Sequence, residues 1–253
     1  MSEKTLRYFL QIAYRGTRYH GWQQQQNATT VQGTLQTCLS QILRNKVQVV
    51  GSSRTDTGVH AQQQFAHVDL ACAIEISHLH YQLNAVLPPD IAIIGIRPVN
   101  SGAHARFDAL ARTYAYTLVQ EKSPFQDGTS YFLRGALDIP KMNEAASILC
   151  DKKDFRSLCK VRSDDGHFLC TILESGWLLQ KDRLIFRIKA NRFLRSMVRI
   201  IVSLLLKIGQ GKLSLSVFEA LIDRRERDLT ANLVPARGLT LMQVDYAKSI
   251  FLT

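Results

Sequence analysis

Residues 52–65 read SSRTDTGVHAQQQF, which places an Arg, an Asp, a Gly and a His within seven positions just ahead of a glutamine-rich run. A short Asp-x-Gly is most often only a turn, with Asp56 bonded to nearby backbone N–H groups and Gly58 supplying a positive φ. Two features point further. Arg54 lies two residues away, where a turn has no need of a cation, and His60 with Gln62, Gln63 and Gln64 adds hydrogen-bonding side chains beyond it. A carboxylate kept ionised by a neighbouring guanidinium is what a nucleophile or general base requires. On these residues alone both readings of Asp56 stay open.

Outward from this stretch the pattern alternates between strand and helix. Leu6, Tyr8, Leu10 and Ile12 face one way and Arg7, Phe9 and Gln11 the other, which predicts a half-buried strand. A loop with two glycines follows, and Thr29 with Gln32 reads as a capping box for a helix whose apolar face is Val31, Leu35, Cys38, Leu39 and Ile42. Val47, Val49 and residues 62–70 read as strands flanking the motif, and DIAIIGIRPV as a buried strand. RTYAYTLVQ alternates again, DIPKMNEAASILCDKKDF is helical, and ESGWLLQKDRLIFRIKA is a hairpin turning at Lys181-Asp182. A long helix is expected over Arg192 to Ile208, ending at Gly209; Ser216 and Glu219 box another, and GLTLMQVDY closes the chain as a strand. Hairpins mixed with helices predict an α+β fold with a mixed, largely antiparallel sheet rather than a parallel doubly wound one. Each half, about 1–105 and 106–253, carries a strand–helix–strand theme, so two similar subdomains around a cleft are expected.

Composition narrows the function. The 253 residues carry 32 Lys plus Arg against 21 Asp plus Glu, a formal charge of +11 that favours polyanionic partners. Five cysteines with no C-x-x-C pair argue against a disulfide framework or a cysteine zinc site. The most apolar stretch, MVRIIVSLLLKIG, is too short and interrupted to span a bilayer, and the first residues lack a signal-peptide pattern, so no membrane and a cytoplasmic location are expected. His60 and His67 differ by an odd number, so on one regular strand they face opposite ways and cannot share a metal.

Two further groups stand beside the motif. Arg192, Arg195 and Arg199, spaced by three and four, would line one strip of the long apolar helix. Snorkelling suits the first two, whereas Arg199, followed by a run of β-branched residues, is the candidate for a buried pair with a carboxylate, Asp56 being the suggested one. Tyr114 and Tyr116 share a strand face and are ordinarily core residues; Arg112 on the same face favours the alternative for Tyr114, a ring stacked on a nucleobase.

In this order the blocks YRGTRYHGWQ, TVQGTL, RTDTGVHA, LNAVLPPDI, HARFDALARTYAY, FLRSMVRIIV and ARGLTLMQVDY resemble the tRNA pseudouridine synthase A family, from the first strand to the last. The resemblance implies the pseudouridine synthase fold, with a basic active-site cleft between its subdomains. It also implies isomerisation of uridine to pseudouridine at positions 38, 39 and 40 of the tRNA anticodon stem-loop, by a homodimer without cofactor or metal. Asp56 matches the family's catalytic aspartate, Arg54 the arginine that helps displace the target base, Tyr114 the tyrosine that packs on the uracil, and Arg199 the arginine that pairs with the aspartate. Three positions depart from the pattern: Arg15 replaces an Asp of the first loop, Ser53 a Gly before the motif, and Cys170 aligns with a common Arg. The rival readings are a catalytically silent RNA-binding protein of the same fold and a hydrolase that would release free uracil.

Overall fold

The computed structural model describes residues 5–160, 167–224 and 233–252. In chain order the strands and helices are β1 (Leu6–Tyr14), α1 (Val31–Leu43), β2 (Val50–Gly51), β3 (His60–Leu70), α2 (Ile76–Val86), β4 (Ile91–Val99) and β5 (Ala111–Val119). Then come β6 (Tyr131–Phe132), α3 (Ile139–Asp151), β7 (Ile172–Gln180), β8 (Arg183–Ala190), α4 (Met197–Gly209), α5 (Leu215–Asp223) and β9 (Leu239–Asp245). The architecture is α+β, as the mixed periodicities predict. Contacts group the chain into two compact units, Met1–Leu110 with Leu241–Thr253, and Ala111–Thr240.

In the first unit the strand order is β4-β1-β3-β9. β1 pairs antiparallel with both β3 and β4. The last residues belong here because their polar and aromatic groups are satisfied here. Val244 N–H donates to Gln63 Oε1 at 3.0 Å, Leu110 N–H to Asp245 C=O at 2.8 Å, and the Tyr246 hydroxyl to Ala105 C=O. This explains why Phe9, on the face of β1 expected to be polar, is fully buried. Its ring lies 5.2 Å from Tyr246, 6.0 Å from Phe251 and 6.3 Å from Phe65, so aromatic side chains distant in sequence cover that face. The α1 cap is displaced by one residue from expectation: Thr30, not Thr29, accepts the Gly33 N–H. Gln32 instead accepts from Gln24 N–H at 2.7 Å and donates to Val49 C=O at 2.7 Å.

His67 is buried in this aromatic layer and accepts the Ala105 N–H on Nδ1 at 3.1 Å. Burial, and then the Arg7 guanidinium, hold its pKa at about 4 against an ordinary 6.5. The folded chain therefore refuses, until about pH 4, a proton that the unfolded chain takes up near 6.5. The contribution of the neutral ring is complete above the higher value and is lost as pH falls between the two, by an amount on the order of 3 kcal/mol. Burial lowers His104 in the same direction, so the variant His67→Asn, whose amide oxygen can still accept the Ala105 N–H, isolates one ring. Thermal unfolding followed over that interval is expected to show a much shallower acid loss in His67→Asn than in wild type. Identical slopes would remove His67 as the cause.

In the second unit the order is β5-β8-β7, with antiparallel pairs β5–β8 and β7–β8, and β6 parallel to β5. The β7–β8 hairpin turns at Lys181, which takes φ 56°, where the sequence placed it. Asn143 of α3 holds β7 by accepting the Trp177 N–H at 2.7 Å and donating to its C=O at 3.2 Å. Two helix starts differ from expectation. Ser214, not Ser216, caps α5 by accepting the Val217 N–H, and Glu219 pairs with Lys152 at 2.9 Å instead. α4 starts at Met197, five residues later than predicted. Ser196 before it is left-handed at φ 60°, and the Asn191 side chain accepts the N–H groups of Thr171 and Arg192, each at 2.8 Å. Arg192 and Arg195 thus lie in a loop, and the predicted helical strip of three arginines reduces to Arg199. No described helix is long and apolar enough to cross a membrane.

Candidate active site

Asp56 sits at the head of a turn closed through backbone atoms, with Val59 N–H donating to Asp56 C=O at 3.1 Å. Gly58, third in the turn, takes φ 79°, the conformation predicted for it and one that L side chains rarely adopt. Arg54 is exposed, and Asp56 is intermediate between buried and exposed.

The first loop, residues 15–30, holds this turn from behind. Trp22 N–H donates to Thr55 C=O at 3.1 Å, Gly58 N–H to Tyr19 C=O at 3.3 Å, and the Tyr14 and Thr55 hydroxyls meet at 2.8 Å. Glycine is required where the two backbones touch. A Cβ on Gly16 would stand 2.0 Å from Val59 O, and one on Gly21 2.5 Å from Thr55 O. The loop is itself tied down at Asp90, which accepts from Arg18 Nε and from the Tyr19 hydroxyl, each at 2.7 Å. Burial alone would push the Asp90 carboxyl up; these two hydrogen bonds outweigh it and hold it below the ordinary value. His60 is also a structural residue of this contact, accepting the Gly16 N–H on Nδ1 at 3.0 Å.

The strand after the motif anchors its other side. Gln64 is fully buried, donates to Ser53 C=O at 2.8 Å and is hydrogen-bonded to the Ser52 hydroxyl. Ser53 is not among the residues with positive φ, so a serine stands there without strain. Sequence reading assigned no role to Tyr14, Trp22 or Ser52, and took Gln64 only as one of three hydrogen-bonding glutamines beyond the motif. A glutamine on a strand was the available signal, because an amide that the sheet buries must find partners.

In the second unit Tyr114 lies on β5 opposite Ile188, 8% exposed, with its ring edge-on to Phe193 at 5.2 Å. Arg112, two residues before, is buried and donates to Asn191 C=O at 2.9 Å. Arg199 is on α4 and its Nε donates to Val234 C=O at 2.8 Å. Cys170 is buried, its N–H bonded to Lys153 C=O at 2.9 Å, and burial pushes its thiol up to about 12, which makes it a poor nucleophile at neutral pH. Among the described residues no group of three or more His, Cys, Asp or Glu side chains could hold a metal ion.

A family model for tRNA pseudouridine synthase matches residues 11–108 and 145–247, spans that hold Arg54, Asp56 and Arg199. The chain belongs to the tRNA pseudouridine synthase family. It is accordingly an enzyme. The tRNA pseudouridine synthase A of Porphyromonas gingivalis is 44% identical over 250 residues, covering 97% of this chain and 99% of its own. Its namesake in Bacteroides thetaiotaomicron is 42% identical over 97% of this chain and 92% of its own, and that of Chlorobaculum tepidum 35% identical over 97% and 99%. Within this synthase family frame, the interlocked first loop and Asp56 turn are both inside the matched span.

Proposed function

We propose that the protein converts uridine to pseudouridine at positions 38, 39 and 40 of the tRNA anticodon stem-loop, without a cofactor, as a cytoplasmic homodimer. The observation that supports this best is the Asp56 turn, a partly exposed carboxylate on a loop whose backbone is fixed on both sides. The reaction breaks the bond between ribose and uracil nitrogen and forms one from the same ribose carbon to a uracil carbon. The nitrogen gains a proton, the carbon loses one to solvent, and no electrons are exchanged with the medium. Asp56 acts at the ribose carbon, by covalent attack or by assisting elimination. Tyr114 packs on the uracil, Arg54 takes the place of the displaced base and Arg199 is the counter-cation of the aspartate; these three roles rest on the resemblance. Unstacking the uridine costs a few kcal/mol, and an aromatic platform worth about 1–3 kcal/mol offsets much of it. The basic excess makes binding strongly salt-dependent.

The test is an anticodon stem-loop carrying tritium on the uracil carbon that becomes the new attachment point. Wild-type protein is expected to release the label to water with no free uracil. Free uracil would identify a hydrolase, and tight binding with no release a silent RNA-binding protein.

A further inference from the structure

Most large aromatic side chains of the first unit are buried, but Phe107 is 73% exposed. The turn that presents it is unusually well fixed. His104 accepts the N–H groups of Arg106 and Phe107 on Nδ1, at 3.1 and 3.3 Å, and its own N–H donates to Asp108 Oδ2 at 2.7 Å. Asp108 N–H returns to His104 C=O at 3.0 Å, so the carboxylate is engaged within the turn. Beneath, Arg7 donates to Ala103 C=O at 2.8 Å, Ala105 N–H to His67 at 3.1 Å, and Tyr246 to Ala105 C=O. Burial and then Arg7 lower the His104 pKa, which favours the neutral ring, and the two N–H groups aimed at Nδ1 select the tautomer that accepts there.

On this base the rings are layered. The Phe107 ring lies 4.3 Å from that of His104, tilted by 33°, and His104 packs edge-on against His67 at 4.7 Å. Arg106 carries its guanidinium carbon 5.6 Å from the Phe107 centroid, within cation–π range. A single exposed ring is ordinary on a protein surface; what sets Phe107 apart is that the turn and the His104 ring beneath it fix its orientation. A ring held in one orientation beside a guanidinium, on a chain of charge +11, has the parts of a single-stranded nucleic-acid platform: a face for the base and a cation for its phosphate. A protein partner would be better served by a contiguous apolar patch than by one ring flanked by charge.

We propose that Phe107 and Arg106 form a second stacking site, for an unpaired nucleobase of the RNA substrate and its neighbouring phosphate, separate from Tyr114. The site rests on the RNA-modifying function proposed above and sets affinity rather than the chemical step. Phe107→Ala, Phe107→Leu and Phe107→Tyr are compared by tritium release from the labelled stem-loop, with melting temperature and sedimentation as controls. Alanine and leucine are expected to raise KM at least about fivefold while kcat stays within about twofold, and tyrosine to match wild type. An unchanged KM in Phe107→Ala, or leucine performing as well as tyrosine, would overturn stacking. A change in oligomeric mass that accounts for the KM change would overturn it in favour of a protein interface. Wild type that neither binds nor turns over the stem-loop would refute the function itself, whereas active wild type with unaffected variants would refute the platform alone.

Discussion

Asp56→Ala is expected to reduce turnover by at least about 10⁴-fold, the scale on which a nucleophile is lost, while affinity for the anticodon stem-loop changes by no more than a few-fold. The two effects separate because of how the turn is built. Its closure uses the Asp56 carbonyl and the Val59 N–H, and its placement uses Thr55, Gly58 and the first loop, all through backbone atoms or the Thr55 hydroxyl. Alanine retains each of these bonds, and Asp56 makes an interaction beyond them that the melting temperature reports on. The carboxylate is also not deeply buried, so its removal opens no core cavity. Taking a negative charge from beside Arg54 would, if anything, favour binding of a polyanion. Asp56→Asn, which keeps the shape and loses the charge, should be equally inactive. The measurements are tritium release under single-turnover conditions, stem-loop binding and melting temperature. A melting temperature lowered by many degrees would return Asp56 to a structural part, and a surviving rate would move the chemistry to another residue.

Periodicity made the strands and most helices legible, because each has one face whose burial the pattern records. It failed where the deciding partner is remote. Phe9 read as outward-facing since nothing near it in sequence reveals Tyr246 and Phe251, which cover it. α4 read as starting at Arg192 because the apolar spacing runs back that far, yet Asn191 and the left-handed Ser196 hold residues 191–196 in a loop. The two cap errors have one origin: Thr29 and Thr30, or Ser214 and Ser216, offer equivalent hydroxyls, and only the path of the incoming chain selects between them. At the candidate site, the turn and the positive φ of Gly58 were readable from the motif. The loop behind it was not, since two glycines in a polar segment look like ordinary turn punctuation until the backbone they touch is known.

That hidden contact has a large expected consequence. Gly21 takes φ 85°, and a Cβ there would lie 2.5 Å from Thr55 O, 3.1 Å from Asp56 C and 3.2 Å from Thr57 N. All three are backbone atoms of the loop that carries the carboxylate, so no flexible side chain can swing away. The loops are also held together on each side, by Trp22 N–H on Thr55 C=O and Gly58 N–H on Tyr19 C=O. Relief of the clash in Gly21→Ala therefore requires the Asp56 backbone to retreat by roughly 1 Å, a displacement of reacting groups that costs on the order of 100-fold in rate. The left-handed strain adds about 1–2 kcal/mol of destabilisation, or a few degrees in melting temperature for a chain of this size. Gly102→Ala is the control, since nothing lies within 4 Å of a Cβ there, and it should behave as wild type. Because Gly21 does not itself reach the substrate in this scheme, kcat should fall in Gly21→Ala while KM stays near the wild-type value. A folded Gly21→Ala protein with full kcat would mean that the first loop yields instead, and that the carboxylate is positioned without it.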